Sequence, residues 1–114
     1  MLDLNPETVY FIISKAHEFQ TREFDAGDED DAGPRDPALA ELKATIEDLE
    51  PDQQVALVGL MWLGRGDYSS DEWDRVLDEA RESWNERTAE YLIGTPLLAD
   101  YLTDGLEQLG YSEE

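Results

Sequence analysis

The chain has no cysteine, one histidine, and only 8 basic side chains against 29 acidic ones in 114 residues. Without cysteine there are no disulfides, no thiolate metal sites and no cysteine nucleophile, while the compartment stays open because a cysteine-free domain is permitted anywhere. The shortage of basic residues excludes more. A formal charge of -21 repels nucleic acid and anionic lipid. Lys15, Arg22, Arg35, Lys43, Arg65, Arg75, Arg81 and Arg87 are too dispersed to neutralise a phosphate track. Direct nucleic-acid binding and membrane binding are therefore set aside. No uncharged run approaches the ~20 residues that span a bilayer, and Met1 to Glu7 carries neither a basic n-region nor a small-residue cleavage pattern. The expected location is the cytoplasm.

Catalytic machinery is equally thin. A hydrolase nucleophile needs an adjacent base and an oxyanion hole, and the serines here lack the nucleophile-elbow pattern. No glycine-rich loop follows a strand to cradle phosphates, since Gly64-Arg65-Gly66-Asp67 follows a helix. Acidic pairs such as Asp71 with Glu72, or Asp78 with Glu82, are what abundant acids produce on a solvated face. No catalytic residue, cofactor-binding residue or metal ligand is assigned, and the chain is read as a non-enzyme.

What is present begins with Val55-Ala56-Leu57-Val58-Gly59-Leu60-Met61-Trp62-Leu63, nine consecutive uncharged residues in a highly acidic chain. A helix of that composition has no wet face and belongs in the middle of a core. Its start is marked by Pro51 at the first helical position and its end by Gly64 or Gly66, either of which can close a helix in the left-handed conformation. Gly64, Arg65, Gly66 and Asp67, with Trp62 before them, form the candidate interaction or structural turn. Arg65 is the residue of interest there. It stands where free carbonyls favour a cation, and its guanidinium can fork onto Asp67, Asp71 or Asp100 in a partly buried corner, or else hold a carboxylate of a partner.

Other helices flank this one. Asn5 is an N-cap before Pro6, with Leu4 placed to staple onto Val9, and Val9, Ile12, Ile13, Ala16 and Gln20 make the inner stripe. His17 lies beside that stripe without a convergent partner and is read as packed or surface histidine. Asp36 and Pro37 open a second helix whose stripe is Leu39, Leu42, Ile46 and Leu49. Between these two helices, residues 25–36 are acidic and contain no large apolar side chain, so they form a mobile loop. Asp28, Asp30 and Gly33 imitate a calcium loop, but Ala32 and Leu39 occupy positions where ligands are required.

Ser69 and Glu72 have capping-box spacing before a fourth helix with Trp73, Val76, Leu77, Ala80, Trp84, Thr88, Tyr91 and Leu92 on one face. That helix is expected to run to Ile93, with an interruption allowed for near Asn85, and to end at Gly94. Thr95 then caps and Pro96 starts a last helix presenting Leu97, Leu98, Tyr101, Leu102, Leu106 and Leu109. The three tryptophans are assigned to packing rather than to ligand stacking. The expected fold is all-α: one domain over residues 1–114, a bundle of about five helices around a buried central helix.

Two blocks, Leu60-Met61-Trp62-Leu63-Gly64-Arg65-Gly66-Asp67 and Tyr91-Leu92-Ile93-Gly94-Thr95-Pro96-Leu97-Leu98-Ala99-Asp100-Tyr101-Leu102 with Gly105-Leu106, resemble the hallmark segments of the bacterial domain-of-unknown-function family 3775. The resemblance covers roughly residues 48 to 110. It implies a bacterial cytosolic protein and carries over no catalytic residue, because no activity is assigned to the family.

Function is then a choice between two classes. The acidity is net in each of the segments 1–24, 25–36, 37–67, 68–94 and 95–114, so it is not a tail on a neutral body. This favours a non-enzymatic interaction or regulatory module that binds a basic protein partner, with attraction that falls as salt rises. The alternative is a divalent-cation-dependent enzyme or ion-binding protein built on carboxylates near Asp67, Asp71 and Asp100.

Overall fold

The computed structural model describes residues 4–26 and 37–111, with side chains over 4–18 and 40–111. Its helices are α1 (Pro6–Ala26), α2 (Pro37–Asp48), α3 (Pro51–Arg65), α4 (Trp73–Ser83), α5 (Thr88–Ile93) and α6 (Leu98–Gln108), with one turn of 3-10 helix at Ser70–Glu72 before α4. No strand occurs among the described residues. The fold is all-α, and its radius of gyration of 13.6 Å is that of a single domain of this length, about 13 Å. Of the acidic stretch expected to be a loop, residues 25 and 26 belong to the end of α1 and residues 27–36 lie outside the described residues.

The central helix is α3. Gln54, Val55, Ala56, Leu57, Val58, Gly59, Leu60, Met61 and Leu63 are all buried, which leaves this helix essentially no wet face along its middle. Each fully buried large side chain, such as Leu57, Leu60 or Met61, contributes about 1.5–3 kcal/mol of transfer free energy. Pro51 stands at the first turn after Glu50, whose N–H donates to the side-chain oxygen of Gln53 at 3.0 Å. α6 and α4 pack directly on α3, while α1 bridges α2 and α6, and α2 also meets α5.

The N-terminal start is as the sequence indicates. The Asn5 side chain accepts the Glu7 N–H at 2.9 Å, and Leu4 and Val9 are both buried, completing the staple. Val9, Ile12 and Ala16 then enter the core, as do Leu42 and Ile46 of α2.

Two boundaries differ from the simplest sequence reading, and the first of them raises the helix count from five to six. The segment from Trp73 to Ile93 does not run unbroken: the interruption allowed for near Asn85 is present, between Ser83 and Thr88. Trp84 is extended at ψ 138°, and α5 begins only at Thr88, whose hydroxyl donates to the Asn85 carbonyl at 2.9 Å. Two sets of bonds hold the break: the Asn85 side chain accepts the Arg87 N–H at 2.7 Å, and the Trp84 indole N–H donates to the buried Gln54 at 2.7 Å, which in turn donates to the Ile46 carbonyl at 2.8 Å. Trp73 and Trp84 therefore do not share one helix face. The second difference concerns Thr95 and Pro96, expected to open the last helix. Thr95 donates instead to the Tyr91 carbonyl at 2.9 Å, back into α5, and α6 starts two residues after Pro96.

Candidate functional site

The two blocks singled out in the sequence meet in space. α3 and α6 run antiparallel with their backbones in contact: a Cβ placed on Gly64 would stand 1.8 Å from the Tyr101 carbonyl oxygen, and one on Gly105 would stand 2.3 Å from that of Leu60. Leu60 and Gly64 are four residues apart, as are Tyr101 and Gly105, so each helix offers a small residue where the other presents backbone. Gln108 adds a hydrogen bond to the Leu63 carbonyl at 3.2 Å. Gly64 is thus a packing residue inside α3 and not the residue that ends it.

Gly66 ends it. At φ 96° it takes the left-handed conformation, its N–H reaches the Leu63 carbonyl at 3.1 Å, and the Asp67 N–H reaches that of Trp62 at 3.2 Å. This paired arrangement satisfies the last carbonyls of the helix and swings Asp67 back toward it. Arg65 then donates from both Nε (2.9 Å) and Nη2 (2.6 Å) to one oxygen of Asp67. The fork onto Asp67, one of the three acids within its reach by sequence, forms, but not in a partly buried corner. Its side chain is 38% exposed and that of Asp67 45%, and the partner is the nearest acid in sequence rather than Asp71 or Asp100. The hydrogen bond to Asp67 holds the guanidinium above its ordinary value, with the Tyr91 hydroxyl oxygen adding to the effect.

Around this turn lies an aromatic cluster. Trp62 is half-buried, stacks on Tyr68 with ring centroids 6.2 Å apart and planes 20° from parallel, and donates its indole N–H to the Tyr91 hydroxyl at 2.9 Å. The Tyr68 hydroxyl donates to Glu79, which also accepts from Arg75 at 3.2 Å. That hydrogen bond pushes Tyr68 above the usual tyrosine value, and it pushes Glu79 below the usual carboxylate range, helped by Arg75.

Tyr91 and Leu97 flank the α5–α6 connection and are among the exposed large apolar residues, at 46% and 54%. Leu97 was expected on the inner face of the last helix. It is instead the N-cap residue of α6, in the left-handed region at φ 64°, where a side chain with a Cβ costs about 1–2 kcal/mol. The inner face is carried by Leu98, Ala99, Leu102, Gly105 and Leu106.

Of the sequence-level candidates, then, Trp62, Arg65, Gly66 and Asp67 share one surface turn and Gly64 lies beneath it. Tyr91, Leu97 and Gly105 were not selected as site residues. The uncharged block from Tyr91 to Ala99 is the sequence signal for the first two, but its residues are sorted into inner and outer only by the position of α6. Asp67, Asp71 and Asp100 are not brought together: no group of three His, Asp or Glu side chains among the described residues is arranged to hold a metal ion. His17 is exposed on α1, in a shallow groove with Tyr10, Ile13, Ser14 and Glu18.

These features define a small acidic all-α domain whose fold turns on a glycine-mediated helix pair. The chain belongs to the DUF3775 family, described as protein of unknown function, whose pattern matches residues 39–111. The match starts within α2 and ends just beyond α6, so it contains the α3–α6 pair and the whole aromatic cluster. No curated protein and no solved structure matches the chain.

Proposed function

We propose that the protein is a non-enzymatic interaction or regulatory module that binds a basic protein partner. The observation that carries this reading is the state of its cations. Lys15, Lys43, Arg65, Arg75, Arg81 and Arg87, all those whose side chains are described, are each within 4.0 Å of one of the chain's own carboxylates. Exposed acids such as Glu47, Asp48, Asp52, Asp74, Glu82, Asp100, Asp104 and Glu107 pair with none of them. With a net charge of -21 and these cations already paired, the described surface attracts basic proteins, which raises the encounter rate with one and falls off with the ~8 Å Debye length of physiological salt.

A pull-down from lysate at low and high salt tests the reading. The expected result is recovery of basic proteins at low salt that is reduced at high salt; recovery of nothing basic, or recovery indifferent to salt, counts against it. A bacterial cytoplasmic setting belongs to the same proposal. Fractionation of cells producing the tagged chain checks it, and persistence in the membrane pellet after a salt wash would speak against it.

A further inference from the structure

We propose that the α5–α6 corner, formed by Tyr91 and Leu97 and continued by Asp100, Asp104 and Glu107 along α6, docks a Lys/Arg-rich segment of a partner protein that carries an aliphatic or aromatic anchor. The proposal rests on the basic-partner reading above and adds where the partner sits and what it must bring besides charge.

Leu97 motivates the apolar half. It occupies a backbone conformation that favours glycine, and its side chain is 54% exposed, so neither burial nor backbone preference accounts for a leucine there. The turn itself does not need the side chain. What it uses from Leu97 is the carbonyl, which accepts the Tyr101 N–H at 2.9 Å, and glycine supplies the same group. Tyr91, at the other end of the connection, is 46% exposed, while its hydroxyl is fixed by the Trp62 indole at 2.9 Å. An exposed ring already held in place loses little freedom when a partner covers it, which is what makes aromatic residues effective contact points.

Charge complementarity selects the occupant. One turn beyond Leu97, the exposed acids Asp100, Asp104 and Glu107 follow at spacings of four and three, which puts them on one face of α6 over about 10 Å. The chain has no Lys or Arg after Arg87, and none of the three acids pairs with a described cation. A segment with an apolar anchor at one end and basic residues along its length matches this order of groups. A second copy of the chain does not, since a two-fold contact would set one acidic ladder against another. Anionic lipid and nucleic acid are repelled for the same reason.

The test uses the full chain and two fluorescent peptides of equal positive charge, one with leucines spaced three and four apart and one with each leucine replaced by serine. Binding is followed by anisotropy at low and physiological salt for wild type, for Leu97→Gly, and for the triple variant Asp100→Asn, Asp104→Asn, Glu107→Gln, with melting temperatures recorded alongside. The leucine peptide is expected to bind wild type about ten-fold tighter than the serine peptide, the scale of one well-buried anchor. Leu97→Gly should lose most of that difference while melting at or above wild type, and the triple variant should weaken both peptides. If Leu97→Gly binds both peptides as wild type does, the docking surface is wrong while the basic-partner reading stands. If neither peptide binds at low salt, both fail. A Leu97→Gly protein that melts well below wild type would assign the leucine to folding and overturn the proposal. So would sedimentation showing a wild-type dimer that Leu97→Gly dissolves, because the occupant would then be a second copy.

Discussion

The two ends of α6 obey different rules. Along its inner face, the helix approaches α3 so closely that Gly105 and Gly64 face backbone carbonyls, and the small residues there follow from packing. At its N-terminus, Leu97 stands in the left-handed region with more than half its surface in water, and nothing in the packing accounts for the leucine. The contrast separates residues that the fold requires from residues that the fold merely tolerates. In a small domain the second kind is where an outside contact is to be sought.

The comparison can be broken most severely at Gly64. A methyl group there would overlap the Tyr101 carbonyl, and since the obstacle is backbone the helices must separate, so Gly64→Ala should cost about 3 kcal/mol or more in denaturant unfolding. Gly105→Ala should behave alike, and a wild-type midpoint for either would show that the helices do not touch as described. The next effect is at Gln54, which joins α2, α3 and the break after α4. Gln54→Ala leaves the Trp84 indole N–H without its acceptor and removes one of the two donors to the Ile46 carbonyl, which keeps the Leu49 N–H, and is expected to cost about 1–3 kcal/mol. Retention of full stability would mean that Trp84 is placed by something else.

At the other end the sign reverses. Leu97→Gly relieves the left-handed backbone but adds freedom to the unfolded chain, for a net gain of about 0.5–1 kcal/mol, readable as a raised denaturant midpoint. Arg65 lies between the two regimes. Its ion pair is exposed and local, so Arg65→Ala should change the midpoint by less than about 1 kcal/mol, and a larger loss would return the residue to the packed framework. The smallest effect is at Glu79, whose pKa in the fold lies below its ordinary value of 4.5. Its stabilising contribution is present above that value and is lost as pH falls through the lower, folded one. Stability measured through the acid range below about 4.5 should therefore fall less steeply for Glu79→Gln than for wild type. Parallel curves would show that the Tyr68 and Arg75 contacts do not favour the ionised carboxylate.

Helix class, the identity of the central helix and the position of the candidate turn were legible in the residues. Val55 to Leu63 is a run of nine apolar residues with no proline within it, which leaves a helix no wet face, and Asn5 with Pro6, or Gly66 after Arg65, are local signals that act within one helical turn. The periodic stripes of α1, α2 and α6 were legible in their centres because they depend on spacing alone: Val9, Ile12, Leu42, Ile46, Leu98, Leu102 and Leu106 are buried, Ile13, Leu49, Tyr101 and Leu109 half-buried and Leu97 exposed, while Gln20 and Leu39 lie outside the described side chains.

Tertiary structure decided what depended on a distant partner. The pattern from Trp73 to Leu92 allowed either a continuous helix or an interruption near Asn85, and the break found there places the Trp84 indole on Gln54, thirty residues away. Thr95 has the composition of an N-cap, but its hydroxyl is within reach of the Tyr91 carbonyl and closes the preceding helix. Gly64 and Gly66 could each end the helix by sequence, and the approach of Tyr101 makes Gly64 a close-contact residue instead. Arg65 could fork to any of three acids, and the left-handed turn at Gly66 delivers Asp67 first. Local chemistry set which segments coil and which faces are apolar, because those depend on neighbours within a turn. Which polar groups meet, which glycine is indispensable and which leucine is left in solvent depend on where the other helices stand.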